Sequence, residues 1–227
     1  MQFEEQLSIA KSQFSEQHKA SLIQQFETTL FNMIKLQQEI TEGLRLLEAR
    51  GRETFQHFFE RDCLVLNYHF DESPKSGRQI IKEKGINGYE EINQLPMFDH
   101  YFRHLYNIFK FIDESDFLDN STQYIDKRYR YARIVRATLS PHELVLVFYN
   151  CRSKYGNGPF KSFVEKYSVL NNLRADFLHY SPFDDDIAFD EIGNDYNRFQ
   201  TTDKNKVNEF VYYSSAFEKD TSLFKYN

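Results

Sequence analysis

No proline interrupts residues 1–68, and their apolar side chains recur at Phe14, Leu22, Phe26, Leu30, Met33, Ile34, Ile40, Leu44 and Leu47, mostly three or four positions apart. Only a 3.6-residue helical period gathers such positions into one stripe. The N-terminal third is thereby committed to helix. Gly43 and Gly51 interrupt the pattern, and glycine inside a helix costs about 1 kcal/mol relative to alanine, so a kink or a break is expected around ARGRE. A second helical segment then carries Phe55, Phe58, Phe59 and Cys63.

The remaining segments follow the same logic. DESPKSG, with its Pro and Gly, reads as a loop. A weakly helical piece spans residues 78–85, and a stronger helix enters near Pro96. On that helix Tyr101, Leu105, Ile108, Phe109 and Ile112 share one face, and Arg103, Asn107 and Lys110 share the opposite one. His104 falls on the margin, so the adjacent Arg103 and His104 diverge by about 100°. The next helical pattern is YIDKRYRYARIVRATL. It leads into LSPHELVLVFYNC, where Ser140 can cap, Pro141 suits the first helical turn and Glu143 completes a capping box. That helix ends at KYGNGP. Another is expected over residues 159–180, and a short one near VNEFVYYSSAF, after an acidic, turn-rich stretch.

These elements predict an all-α fold, a helical bundle with long N-terminal helices packed on a compact, aromatic-rich domain. Residues 1–70 form the arm or bundle layer, and residues 71–227 form the core domain with an acidic C-terminal segment, as one continuous unit. The chain has 227 residues with 23 Phe and 15 Tyr but no Trp, which suits a core built from large rings with phenol groups reaching its rim.

Charge and cysteine usage narrow the function classes. A net charge of -6 argues against a nucleic-acid coat protein, which relies on clustered cations. Cys63 and Cys151 lie far apart in apolar surroundings with no signal peptide before them, which predicts reduced thiols in a cytoplasmic protein. The longest mainly apolar run, residues 144–151, is far short of the ~20 residues of a membrane-spanning helix.

Standard catalytic signatures are missing from the sequence. There is no phosphate-cradling glycine loop, no GxSxG elbow and no recognisable cysteine nucleophile. His100 and His104 have metal-compatible spacing, but HYFRH lacks the zincin glutamate and a third ligand. No metal and no cofactor is expected. Two constellations remain. Lys127, Arg128, Arg130, Arg133 and Arg136, interleaved with Tyr129 and its neighbours, have the residue types for phosphate contact and base stacking, and Arg103 could join them in binding RNA or a partner. The same arginines also suit a solvated helix face or pairing with the acidic tail. Arg174 and His179, in LRADFLHY, resemble the R-x4-H motif of HEPN-type helical ribonucleases. That resemblance implies a metal-independent reaction, with His179 moving a proton and Arg174 stabilising a phosphorane-like transition state. Five residues on a helix set the two side chains about 140° apart, so catalysis would require a homo-oligomer that brings two motifs together.

A broader likeness runs through FETTLFNMIKLQQEI, GRETFQHFF, YFRHLYNIFKFID, YARIVRATLSPHELVLVFYNC, FVEKYSVLNNL and YYSSAF. Together these stretches resemble the phage abortive infection proteins of the abortive infection protein C type, from about Phe26 to Phe217. The resemblance implies a bacterial antiviral role, as a cytosolic effector or as a component that senses infection, with RNA or a phage or host protein trigger as partner. Many relatives begin with membrane-spanning segments; no such run occurs here. The alternative is a non-enzymatic helical interaction module that presents an aromatic-rich surface.

Overall fold

A computed structural model describes residues 2–61, 73–92, 96–118, 127–173, 177–178, 200–201, 212–213 and 216. The architecture is all-α, with seven α-helices among the described residues. Helix α1 (Gln2–Gly43) is 42 residues long, or about 63 Å at 1.5 Å per residue. Its buried stripe, Phe26, Leu30, Ile34, Gln37, Thr41 and Leu44, runs at steps of four and three, and it lies along α4 (Pro96–Asp113). The break expected near ARGRE is sharp. α1 stops at Gly43, and a hairpin of β1 (Arg45–Leu46) and β2 (Ala49–Arg50) reverses the chain. Gly51 follows with a left-handed φ of 59°, which glycine adopts without steric cost.

Helix α2 (Glu53–Glu60) buries Thr54, Phe55, Phe58 and Phe59. α3 (Gly77–Ile92) is longer than the sequence pattern indicates, because a non-helical Gly85 with φ 61° lets two helical pieces join across a kink. On α4 the face of Tyr101, Leu105, Ile108, Phe109 and Ile112 is fully buried, and Arg103, Asn107 and Lys110 are exposed. α5 (Lys127–Ala137) packs beside it. The core runs through α6 (Pro141–Arg152), buried at every position from Glu143 to Arg152. A helix enclosed on all sides belongs at the centre of a fold, and α6 contacts α2, α3 and α7 (Pro159–Lys166). Cys151 on α6 is buried and not in a disulfide among the described residues.

Two expectations fail. The helix expected over residues 159–180 ends at Lys166; Ser168 is left-handed, a 3-10 turn covers Val169–Asn172, and Leu173 is extended. Specific contacts hold this break. Tyr167 donates its hydroxyl to Asp113 Oδ1 at 2.5 Å, Lys166 bonds the same oxygen, and Arg136 donates to the Ser168 carbonyl at 2.8 Å. Tertiary anchoring overrides the local helical pattern. The short helix expected near VNEFVYYSSAF is also replaced. Tyr212–Tyr213 form β4, paired in parallel with β3 (Gln200–Thr201), in keeping with the strand preference of successive aromatics.

Candidate functional site

The sequence before α7 builds a cleft. KYGNGP packs two glycines with different duties into one turn. Gly156 lies so close to Asn150 that a Cβ would sit 2.3 Å from its Oδ1 and 2.5 Å from its carbonyl oxygen. Gly158 has φ 117°, which L side chains rarely adopt. The turn closes with Gly156 N–H donating to the Asn150 carbonyl at 3.1 Å and Lys161 N–H donating to the Gly156 carbonyl at 3.2 Å. Glu90 on α3 holds it from outside by accepting from the backbone N–H of Lys154 at 2.8 Å and pairing with its ammonium at 3.3 Å.

Between this turn and α4 lies a cavity of about 430 Å3, lined by Asp99, Phe102, Arg103 and Tyr106 on one side and by Asn150, Tyr155, Gly156, Pro159 and Phe160 on the other. A pocket of that size with aromatic walls and a few polar groups suits a small ligand or an anchoring side chain. Ring contacts brace its walls. Tyr106 meets Phe160 edge-on at 6.1 Å and also touches Phe163, and Phe102 is braced by Tyr101 and Phe98. Asn150, 3% exposed, gives the floor a polar group and bonds the Tyr89 hydroxyl. Asp99 and Arg103, one turn apart on α4, place one charge of each sign at the rim.

Beneath α4 runs a polar seam. The Tyr101 hydroxyl donates to Glu143 Oε1 at 3.0 Å, and burial, reinforced by the nearby carboxylate, pushes the phenol well above its ordinary range. It stays a donor. Glu143 Oε2 accepts from Ser140 N–H at 2.7 Å, completing the capping box, and lies 3.6 Å from Arg52 Nε. On the other side of α4, His104 Nδ1 is 2.8 Å from Gln37 Oε1, whose amide nitrogen faces the Tyr101 carbonyl. Burial, followed by the neighbouring His100, lowers the pKa of His104. The neutral ring therefore carries its proton on Nδ1 and donates to Gln37. His104→Ala should cost about 1–3 kcal/mol by stranding the buried Gln37 oxygen. Because the folded pKa is depressed, the contribution is complete above about pH 6.5 and is lost as pH falls through the lowered value. Denaturant midpoints measured across that window should show the gap between wild type and His104→Gln narrowing as pH falls.

The structure divides the basic cluster. Arg128 donates to the Ser115 carbonyl at 3.1 Å and reaches Asp116, Arg136 holds the Ser168 carbonyl, and Tyr129 is 5% exposed. These three fasten α5 to its neighbours. Arg130 and Arg133 face solvent, and Arg103 sits at the cleft instead. Arg174 and His179 lie outside the described residues. Between them Leu178 is buried and Phe177 stacks on His142 at 4.9 Å. The sequence alone did not single out Asp99, Phe102, Tyr106, Asn150, Tyr155 or Phe160 as a group; KYGNGP, directly after a capped helix, was the available signal.

Residues 93–178 match the family model described as putative phage abortive infection protein. Every residue lining the cleft falls within that match. No curated protein and no solved structure matched the chain. Among the described residues, no helix is long and apolar enough to cross a membrane.

Proposed function

We propose that this chain is a cytoplasmic phage-defence protein that senses infection by seating a short segment of a phage or host protein in the α4–α7 cleft. The observation that carries this reading is the position of the cleft: all its lining lies inside the segment matched to the abortive infection family. The chemistry favours a protein segment over RNA. Four aromatic residues and a buried amide suit an anchoring apolar side chain, and Asp99 with Arg103 suits the polar groups flanking it. A phosphate-tracking groove needs several free cations in a row, whereas Arg128 and Arg136 are engaged with backbone carbonyls away from the cleft.

Arg103→Glu and Tyr155→Ala change exposed rim positions and should leave folding intact while weakening partner binding about tenfold or more. Expressed from the native locus, either variant should lose protection against a phage that the wild type restricts. Affinity capture from infected cells should recover a stoichiometric protein partner with the wild type and not with the variants. Recovery of RNA alone would overturn sensing of a protein. Infection-stage RNA cleavage that is lost in Arg174→Ala and His179→Ala yet unaffected by the rim variants would assign the chain an effector role instead.

A further inference from the structure

The N-terminal half of α1 carries a second apolar stripe. Residues 3–21 are exposed throughout, a projection of nearly 30 Å beyond the first packed turn. Phe3, Leu7, Ala10 and Phe14 recur at steps of four, three and four, and Phe3 is 77%, Leu7 46% and Phe14 72% exposed. At ~100° per residue the four occupy a sector of about 60°, centred about 170° from the sector of Phe26, Leu30, Ile34, Gln37, Thr41 and Leu44 that meets α4. The helix thus presents one apolar face to its own domain, whereas the opposite face, further out, packs against no other element among the described residues.

We propose that this outer stripe is a self-association surface on which the α1 arm of a second copy packs antiparallel. The heptad spacing is that of a two-helix seam. In an antiparallel register centred between Leu7 and Ala10, Phe3 of one copy lies across Phe14 of the other, and Leu7 lies across Ala10, so each layer occurs once in either half of the seam. The flanking positions complement as well. Glu4 of each copy faces Lys11 of the other, giving two unlike-charge pairs, and Gln6 faces Gln13 on the other flank. A parallel, in-register pairing would place neither Glu4 nor Lys11 against an opposite charge. The geometry also separates the domains. Their first packed residues, at position 22, stand roughly 40 Å apart along the shared axis, so the two bodies do not collide. The mixed charge of the arm, with Glu4, Glu5 and Glu16 among Lys11 and Lys19, is unlike the cation-rich face of a helix that lies on a membrane.

Sedimentation of the full chain across a concentration series should show a reversible dimer, weak enough to dissociate on dilution because the seam is only about two heptads long. Phe3→Glu combined with Phe14→Glu should make the chain monomeric at every concentration, with the urea midpoint of the domain unchanged. Charge exchange tests the register. Glu4→Lys alone and Lys11→Glu alone should each weaken the dimer about two- to fivefold, and the double variant should recover most of the loss. A chain that is monomeric at all concentrations, including one whose arm binds anionic vesicles or a different protein, overturns the proposal. So does a dimer that survives the Phe3 and Phe14 substitutions, and a charge exchange without recovery overturns the antiparallel register.

Discussion

Glu143→Ala should destabilise the fold by about 2–4 kcal/mol, read as a lower urea midpoint at unchanged slope. The carboxylate is 1% exposed and does three things at once. It accepts from the buried Tyr101 hydroxyl, it closes the α6 cap on Ser140 N–H, and it stands 3.6 Å from the Arg52 guanidinium. Alanine leaves a phenol donor in a region that water does not reach, and an unmet buried donor costs more than the net value of the bond it lost. The helix start weakens by about 1 kcal/mol besides. The double variant Tyr101→Phe with Glu143→Ala removes both partners, so its cost should fall well below the sum of the single costs. If the costs simply add, the Tyr101–Glu143 bond is not what holds α4 against the start of α6.

The same residues mark what the sequence made legible. The α6 cap could be read directly, because Ser140, Pro141 and Glu143 encode it within four positions, and the structure shows the box with both of its bonds. The α4 faces were equally legible, since periodicity alone separates the buried Tyr101, Leu105, Ile108 set from the exposed Arg103, Asn107, Lys110 set. His104 followed from its place on the margin between them. The break at Ser168 was not legible, because its causes lie at Asp113, 54 residues before Tyr167, and at Arg136, 32 residues before Ser168. No local pattern carries such a contact. The cleft was hidden for the same reason: α4 supplies one wall and the turn after α6 the other, and only packing brings residues 99–106 against residues 150–160. Arginines were the opposite case. Composition makes five basic residues near α5 look like one surface, yet a guanidinium that reaches a backbone carbonyl, as Arg128 and Arg136 do, is structural.

Gly156→Ala should lower stability by about 2–4 kcal/mol, a fall in Tm of roughly 5–15 °C for a chain of this size. Bound β-carbons essentially never come within 3.0 Å of another heavy atom, and here the new carbon would meet the Asn150 Oδ1 at 2.3 Å and the Asn150 carbonyl oxygen at 2.5 Å. Rotation of the amide could relieve only the first contact, at the expense of its bond to Tyr89. The carbonyl cannot give way cheaply, because it belongs to the last turn of α6 and also accepts from Ser153 N–H at 3.1 Å and Ser153 Oγ at 2.7 Å. The turn must therefore move outward, carrying Tyr155 and the first residues of α7 with it. That displacement widens the cleft at its floor, so Gly156→Ala should also abolish partner binding in protein that remains folded at low temperature. Gly43→Ala is the control, since a β-carbon there meets nothing within 4 Å and its φ is not positive. It should be neutral, or stabilising by up to about 1 kcal/mol through the unfolded chain. Equal effects at the two glycines would mean that backbone freedom, and not the close approach to Asn150, is what position 156 requires.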